Sequence, residues 1–386
     1  MPHQNTHESA PPCDSPIGRA IRELRDAAGW SQARLADELS AVSCQAYTRQ
    51  DVSRWECGKR RPRPRTLRHI AAALQVPVQM LESPPVHRRA FITDVAATAI
   101  APVVASDLIH QGFAAALNGG APDVDEWRTK LAAYGRDYMT MGAADIQRRL
   151  AAELVLLQRQ ADRPELWAVA SKLMTLFAKT FPGPDGAKAV RWYRMAAEAA
   201  DRSGDVDARV WVRGRAVIAL GYEGAALPVA EQLTDQALTI DDAPSLGRLN
   251  AVMGAAHVAA LRGDRHGALA LAEVGRRIHD AAGSHEQTSD YAVPWWRMQV
   301  FLSLLFARLG EERAAVEAQD AAAAELPGAL PRFATHLELH RGLMMARAGD
   351  PTGGARYARA ALDQLPPEKH SLTLRMLLAE IEAVPA

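Results

Sequence analysis

Thr48-Arg49-Gln50-Asp51-Val52-Ser53-Arg54-Trp55-Glu56-Cys57-Gly58 is the stretch on which the reading of the chain turns. Thr48 and Asp51 stand at the spacing of a capping box, with Asp in the place of the usual Glu, so a helix is expected over Arg49–Glu56. Val52 and Trp55 fall on the face that would meet a core, which makes Trp55 a packing residue before a base-stacking one. Arg49 and Gln50 are the first two helical residues, and Arg54 lies one turn beyond Gln50 on the same face. An Arg fork matches the O6/N7 edge of guanine and a Gln amide the N6/N7 edge of adenine, so these three are the candidates for base contact. Thr48 and Ser53 flank them, within reach of phosphates or a thymine methyl.

Outward from this helix the signals stay helical. Ile17–Ala28 carries Ile17, Ile21, Leu24 and Ala28 on one face and stops at Gly29. Ser31 is a cap for Gln32–Leu39, with Leu35, Ala36 and Leu39 facing inward. The N-terminus of that helix, at Gln32, is expected to set its N–H groups and side-chain amide on a phosphate. Downstream, Lys59-Arg60-Arg61-Pro62-Arg63-Pro64-Arg65 is a basic arm expected to be non-helical and to add backbone or minor-groove contacts. Thr66–Leu74 is a fourth helix, and Val78–Leu81 a short fifth turn.

The string from Ile17 to Leu81 resembles the Cro/repressor-type helix-turn-helix family, the xenobiotic-response-element class. The resemblance rests on Arg25-x-x-x-Gly29-x-Ser31-Gln32-x-x-Leu35-Ala36, Val52-Ser53-x-Trp55-Glu56-x-Gly58-x-Arg60-x-Pro62 and Leu67-x-x-Ile70-Ala71-x-x-Leu74-x-Val76. It implies that the Arg49 helix lies in the major groove and that Arg25 and Glu56 form a structural ion pair holding the first helix to the third. One departure is the connection Ser40–Tyr47, several residues longer than the family's tight turn.

Charge agrees with this reading only when counted by region. The whole chain of 386 residues has 45 Lys+Arg and 45 Asp+Glu, a sum that by itself speaks against nucleic acid. Residues 15–89 hold 14 Lys+Arg against 7 Asp+Glu, while residues 90–386 hold 31 against 36. A small basic head therefore precedes a large, mildly acidic body. Arg outnumbers Lys 39 to 6, so the choice of Arg at any one position says little about bidentate chemistry.

The body repeats. Ala260-x-x-Gly263-Asp264, Ala307-x-x-Gly310-Glu311 and Ala346-x-x-Gly349-Asp350 share a form, and Ala268, Ala315 and Gly354 follow five residues after each Gly. Ile218-x-x-Gly221, with Ala226, is a weaker copy, and successive glycines are 42, 47 and 39 residues apart. The pattern reads as helical hairpins turning at Gly, with small residues where the paired helices approach. It resembles tetratricopeptide repeats over roughly residues 165–370, which implies a stacked solenoid with a concave binding surface. Candidates to line that surface are Trp211, Arg213 and Arg215, then Asn250 and His257, then Trp295, Trp296 and Arg297. Inter-repeat packing accounts for the tryptophans, and solvation for the arginines, at least as simply.

Catalytic and metal signals are sparse, and neither a cofactor nor a metal is expected. His336 and His340 share a helix face, but Leu-Glu-Leu separates them and no third ligand stands nearby. Gly183-Pro184-Asp185-Gly186-Ala187-Lys188 lacks the Gly-Lys-Ser/Thr of a phosphate loop. Cys13, Cys44 and Cys57 form no CxxC pair, which fits a reducing cytoplasm, and packed thiols explain Cys44 and Cys57 more simply than a redox switch. Arg88-Arg89-Ala90-Phe91-Ile92 imitates a twin-arginine signal, but 87 residues precede it and Asp94 and Pro102 interrupt its apolar run, so a packed helix is expected and no membrane partner.

The expectation is an all-α chain. Residues 1–15 are a disordered tail, 16–83 a five-helix helix-turn-helix domain, 84–122 a linker with connecting helices, and 123–386 a tetratricopeptide-like solenoid. The function expected is a cytoplasmic, nucleoid-associated transcriptional regulator that is not an enzyme. It resembles those common in actinobacteria, reading inverted repeats of double-stranded DNA as a homodimer, with a repeat domain that dimerises, binds a peptide, protein or small-molecule effector, or does both. The alternative is a protein-interaction scaffold whose head no longer reads DNA.

Overall fold

The computed structural model describes residues 15–43, 45–76, 78, 81, 123–158, 160, 163–181 and 186–385. Residues 1–14 of the tail, the linker, the twin-arginine imitation, most of the fifth turn, Cys13 and Cys44 lie outside the described residues. Among the described residues every regular element is a helix, so the chain is all-α. No helix among the described residues is long and apolar enough to cross a membrane.

The head contains α1 (Pro16–Ala27), α2 (Gln32–Ser43), α3 (Arg49–Glu56) and α4 (Pro64–Leu74). Ser15 caps α1, Ser31 Oγ accepts from Arg34 N, and Thr48 and Asp51 complete a reciprocal capping box on α3. Ile21, Leu35, Leu39, Val52 and Ile70 are fully buried and fill the head's core. Two boundaries differ from expectation. α2 runs four residues further, so the long connection to α3 shortens, and Ser40 and Ser43 donate their hydroxyls to Ala36 O and Leu39 O within the helix. α4 starts at Pro64, since proline suits the first helical position, and Arg65 therefore belongs to the helix and not to the arm.

The body runs α5 (Val124–Thr140), α6 (Ala143–Gln158), α7 (Pro164–Ala178), α8 (Gly186–Ser203), α9 (Val206–Glu223), α10 (Leu227–Ile240), α11 (Leu246–Leu261) and α12 (Arg265–Ala282). It continues through α13 (Trp295–Leu309), α14 (Glu312–Glu325), α15 (Pro331–Arg347), α16 (Pro351–Asp363) and α17 (Leu372–Glu382). Consecutive helices from α7 to α16 pair as antiparallel hairpins, and the first helices α9, α11, α13 and α15 pack against one another in series along the inner side.

Gly263, Gly310 and Gly349 take the left-handed conformation at the hairpin turns, and the acid after two of them caps the next helix: Asp264 accepts from Gly267 N and Asp350 from Gly353 N, both at 2.8 Å. Gly221, the weaker copy, is no turn. It lies inside α9, and the left-handed turn falls to Gly224 and Ala226. Gly221 is needed for approach instead: a Cβ there would stand 2.5 Å from the carbonyl oxygen of Gly254 on α11.

The head is docked on the body. Its core continues into Val190 and Tyr193 of α8, Leu220 of α9, and Leu227, Val229 and Leu233 of α10. Glu23 pairs with Arg191 at 2.6 Å, and Ala226 N donates to Gln75 O at 2.9 Å. Gln75 and Ala226 are also the two non-glycine residues of the described chain with positive φ.

Candidate nucleic-acid interface and the interior of the repeats

On the head, α3 is held from behind and left free in front. Glu56 is 1% exposed and takes Arg25 Nε at 2.6 Å, Arg25 Nη2 at 3.0 Å and the Gln32 side-chain amide at 2.8 Å. Arg25 also donates to Trp30 O at 2.7 Å, and its hydrogen bond with Glu56 holds its pKa above the usual value. A buried, multiply bonded guanidinium–carboxylate pair of this kind fixes the angle between α1 and α3. Trp55 is buried and meets Tyr47 edge-on at 5.7 Å, which leaves it unable to stack on a base without unpacking. The body grips α1 and the end of α4.

The expected contact residues divide by what the fold asks of them. Arg49, Gln50 and Arg54 are exposed, as are Lys59, Arg60, Arg61 and Arg63 of the arm, while Pro62 is buried and anchors it. Ser53 is half-buried, and the Thr48 hydroxyl is engaged with Asp51 at the cap. One N–H of the Gln32 amide is engaged with Glu56, which orients the side chain and leaves its second donor; the sequence could not show that the buried carboxylate had a lone pair to spare.

The inner face of the repeats is not an open groove, and this decides where the other candidates fall. α5, α17 and the connection between α12 and α13 cover it: Asp290 N donates to Gly135 O, Arg332 to Tyr138 O, and Thr373 Oγ1 to Glu223 at 2.9 Å. Trp211, Arg213, Asn250, His257 and Trp296 are all buried in helix packing. Trp211 leans on Tyr291, Arg213 bonds Asp201 and Gln236, and Trp296 meets Phe333 edge-on. Burial and the neighbouring Arg308, whose guanidinium donates to His257 Nδ1, hold the His257 pKa well down and keep the ring neutral. The structure does not bring these five to one site. Trp295 is exposed, and His336 and His340 are bound to the Tyr222 hydroxyl, with Ser303 Oγ on His340 Nδ1. No cluster of three metal-ligating side chains occurs among the described residues.

What the interior does hold is a cavity of about 80 Å³ lined by four cations, Lys179, Arg215, Arg297 and Arg332, and two carboxylates, Asp290 and Glu223. Asp290 sits at its base, 2% exposed, with Lys179 Nζ at 2.5 Å, Arg215 at 2.9 Å and Arg297 at 3.0 Å. Burial alone would raise its pKa, but the three cations outweigh it and hold the carboxylate charged. Burial, with Arg215 beside it, presses the Lys179 pKa well down. Burial also lifts Glu223 to about 7. Tyr138 lies under Lys179 with its phenol pushed up to about 12 by burial. Arg215 and Arg297 were reachable from sequence; Lys179, Glu223, Asp290 and Arg332 were not. The available signal was the 47-residue glycine spacing, the widest of the three, because its extra length is the connection that carries Asp290 inward. A separate apolar groove of about 840 Å³ lies among α6, α7 and α8, lined by Trp167, Phe177, Trp192 and Met195.

Against known families, residues 16–83 match the model described as a helix-turn-helix domain. No curated protein matches the chain. Among solved structures, the chain is similar to that described as Bacillus thuringiensis PlcR in complex with the peptide PapR7 and DNA, at 15% identity and a TM-score of 0.30, covering 80% of this chain and 93% of that one.

Proposed function

We propose that the protein is a sequence-specific DNA-binding transcriptional regulator. The observation that carries this is the front of α3: Arg49, Gln50 and Arg54 exposed on a helix that Arg25–Glu56 locks from behind, with a basic arm beside it, within a matched helix-turn-helix domain. In this reading α3 enters the major groove, Arg49, Gln50 and Arg54 meet base edges, and Thr48, Ser53 and the arm Lys59, Arg60, Arg61 and Arg63 meet phosphates. A head this small buries a modest interface, so useful affinity comes from a homodimer on two half-sites about one helical turn apart. The body, several times the size of the head, is the sensing part.

The test is selection of bound sequences followed by titration of the selected duplex. Arg49→Ala or Arg54→Ala should cost about 1–3 kcal/mol and relax preference at one base position. Arg60→Ala with Arg61→Ala should instead weaken all sequences alike and reduce the salt slope by about 1 for each phosphate no longer neutralised. If Arg49→Ala and Arg54→Ala left sequence preference untouched, the head would not be a reader, and the scaffold reading would take its place.

A further inference from the structure

We infer that the interior cavity is the receptor for a small anionic group, a carboxylate or a phosphate, and that the α9–α10 elbow ties its occupancy to the reading head. The inference rests on the proposed regulatory reading for its purpose, but not for its chemistry.

The chemistry is an imbalance of buried charge. Three guanidiniums, Arg215, Arg297 and Arg332, and Lys179, whose charged form burial disfavours, share the lining with two carboxylates, and removing charge from water without a counter-charge is costly. Asp290 already serves three of the four cations. Arg332, the fourth, donates to the Tyr138 carbonyl and lies against Tyr138 and Phe333. Arg297 is 4% exposed and lines the cavity, yet its Nε has no hydrogen-bond partner. A bound anion would supply that acceptor and the missing charge together. Size narrows the class: a cavity of about 80 Å³ has room for a few waters or for one small anionic group such as a carboxylate or a phosphate. Any larger effector would place only its anionic end here.

The link to the head is short. Glu223 lines the cavity as the last residue of α9, and three residues later Ala226 N donates to Gln75 O, at the end of α4 in the head. Both partners of that bond sit in the left-handed region, which costs a non-glycine residue energy, and the Gln75 side-chain carbonyl is buried without a partner. Glu223 is also bound to Thr373 of α17 and faces Lys179 and Arg215, so an anion beside it shifts the balance of forces on the turn.

The experiment is calorimetric titration of the full-length protein with inorganic phosphate and, separately, acetate, at fixed ionic strength in chloride, with DNA affinity measured with and without each probe. Saturable one-site binding of at least one probe is expected, weakened at least tenfold in Arg332→Gln, with a ligand-dependent rise in Tm that is smaller in Arg332→Gln than in the unsubstituted protein at the same probe concentration. Circular dichroism checks that the variant is folded. Glu223→Gln, which removes the repelling carboxylate, should bind the probe more tightly at pH 8. The two arms separate a carboxylate site from a phosphate site. Absence of saturable binding to either probe, or equal binding in folded Arg332→Gln, overturns the site. Binding that leaves DNA affinity unchanged overturns the elbow link. Anion binding without any sequence-specific DNA binding leaves the site standing and overturns the regulatory reading.

Discussion

At the residue scale, Glu56 shows how one buried carboxylate can organise a surface it never reaches. Its oxygens accept from Arg25 and Gln32, and its backbone carbonyl lies 3.4 Å from Arg22 Nη2, so three side chains from α1 and α2 converge on the end of α3. Glu56→Ala would leave Arg25 buried with only Asp26 as a charged partner, and such half-broken pairs cost about 3–5 kcal/mol. The joint change Arg25→Met with Glu56→Leu should cost far less, because no charge is stranded. Urea denaturation of the two variants checks this; equal losses would mean the pair stabilises by attraction and not by mutual need. The pair could be named from the sequence through its family resemblance. That the Gln32 amide would join it could not, since a free amide and a bound one look alike in one dimension.

At the element scale, helix identity was legible and helix environment was not. α3 could be bounded from Thr48, Asp51 and Gly58 because capping is local chemistry, decided within four residues. α9 and α13 were expected to show one face to a groove, yet nearly every residue of each is buried. Their periodicity is weak for that reason: a helix surrounded on all sides has no polar stripe to reveal its orientation. The glycines separate by the same logic. Gly221→Ala would press a Cβ against the Gly254 carbonyl, which belongs to a backbone and cannot swing aside, at a cost of about 1–3 kcal/mol. Gly263→Ala meets nothing within 4 Å and costs only the strain of a left-handed alanine, about 1 kcal/mol. The urea midpoint should fall further for Gly221→Ala than for Gly263→Ala; the reverse order would place the critical contact at the turns and not between the inner helices.

At the scale of the whole molecule, the interior charge makes stability depend on pH. Glu223 has a folded-state pKa of about 7 against an ordinary 4.5, because burial disfavours its charged form. A group raised on folding gives stability that is complete below the ordinary value and is lost as pH rises through the folded one, so this contribution should decline between about pH 4.5 and pH 7, by about 3 kcal/mol at most. Glu223→Gln should flatten that part of the profile of stability against pH, and an unchanged slope would assign it to other groups. The helical class, the turn glycines Gly263, Gly310 and Gly349, the basic head and the capped helix that carries Arg49, Gln50 and Arg54 were legible along the chain, because capping, periodicity and charge are properties of sequence neighbours. Only the tertiary structure decided that the inner face is covered, that Lys179 and Asp290, 111 residues apart, meet at 2.5 Å, and that Gln75 and Ala226 join head to body. The physical reason is that a buried charge is defined by what surrounds it in space, and in this fold its surroundings come from several separate helices and one long connection.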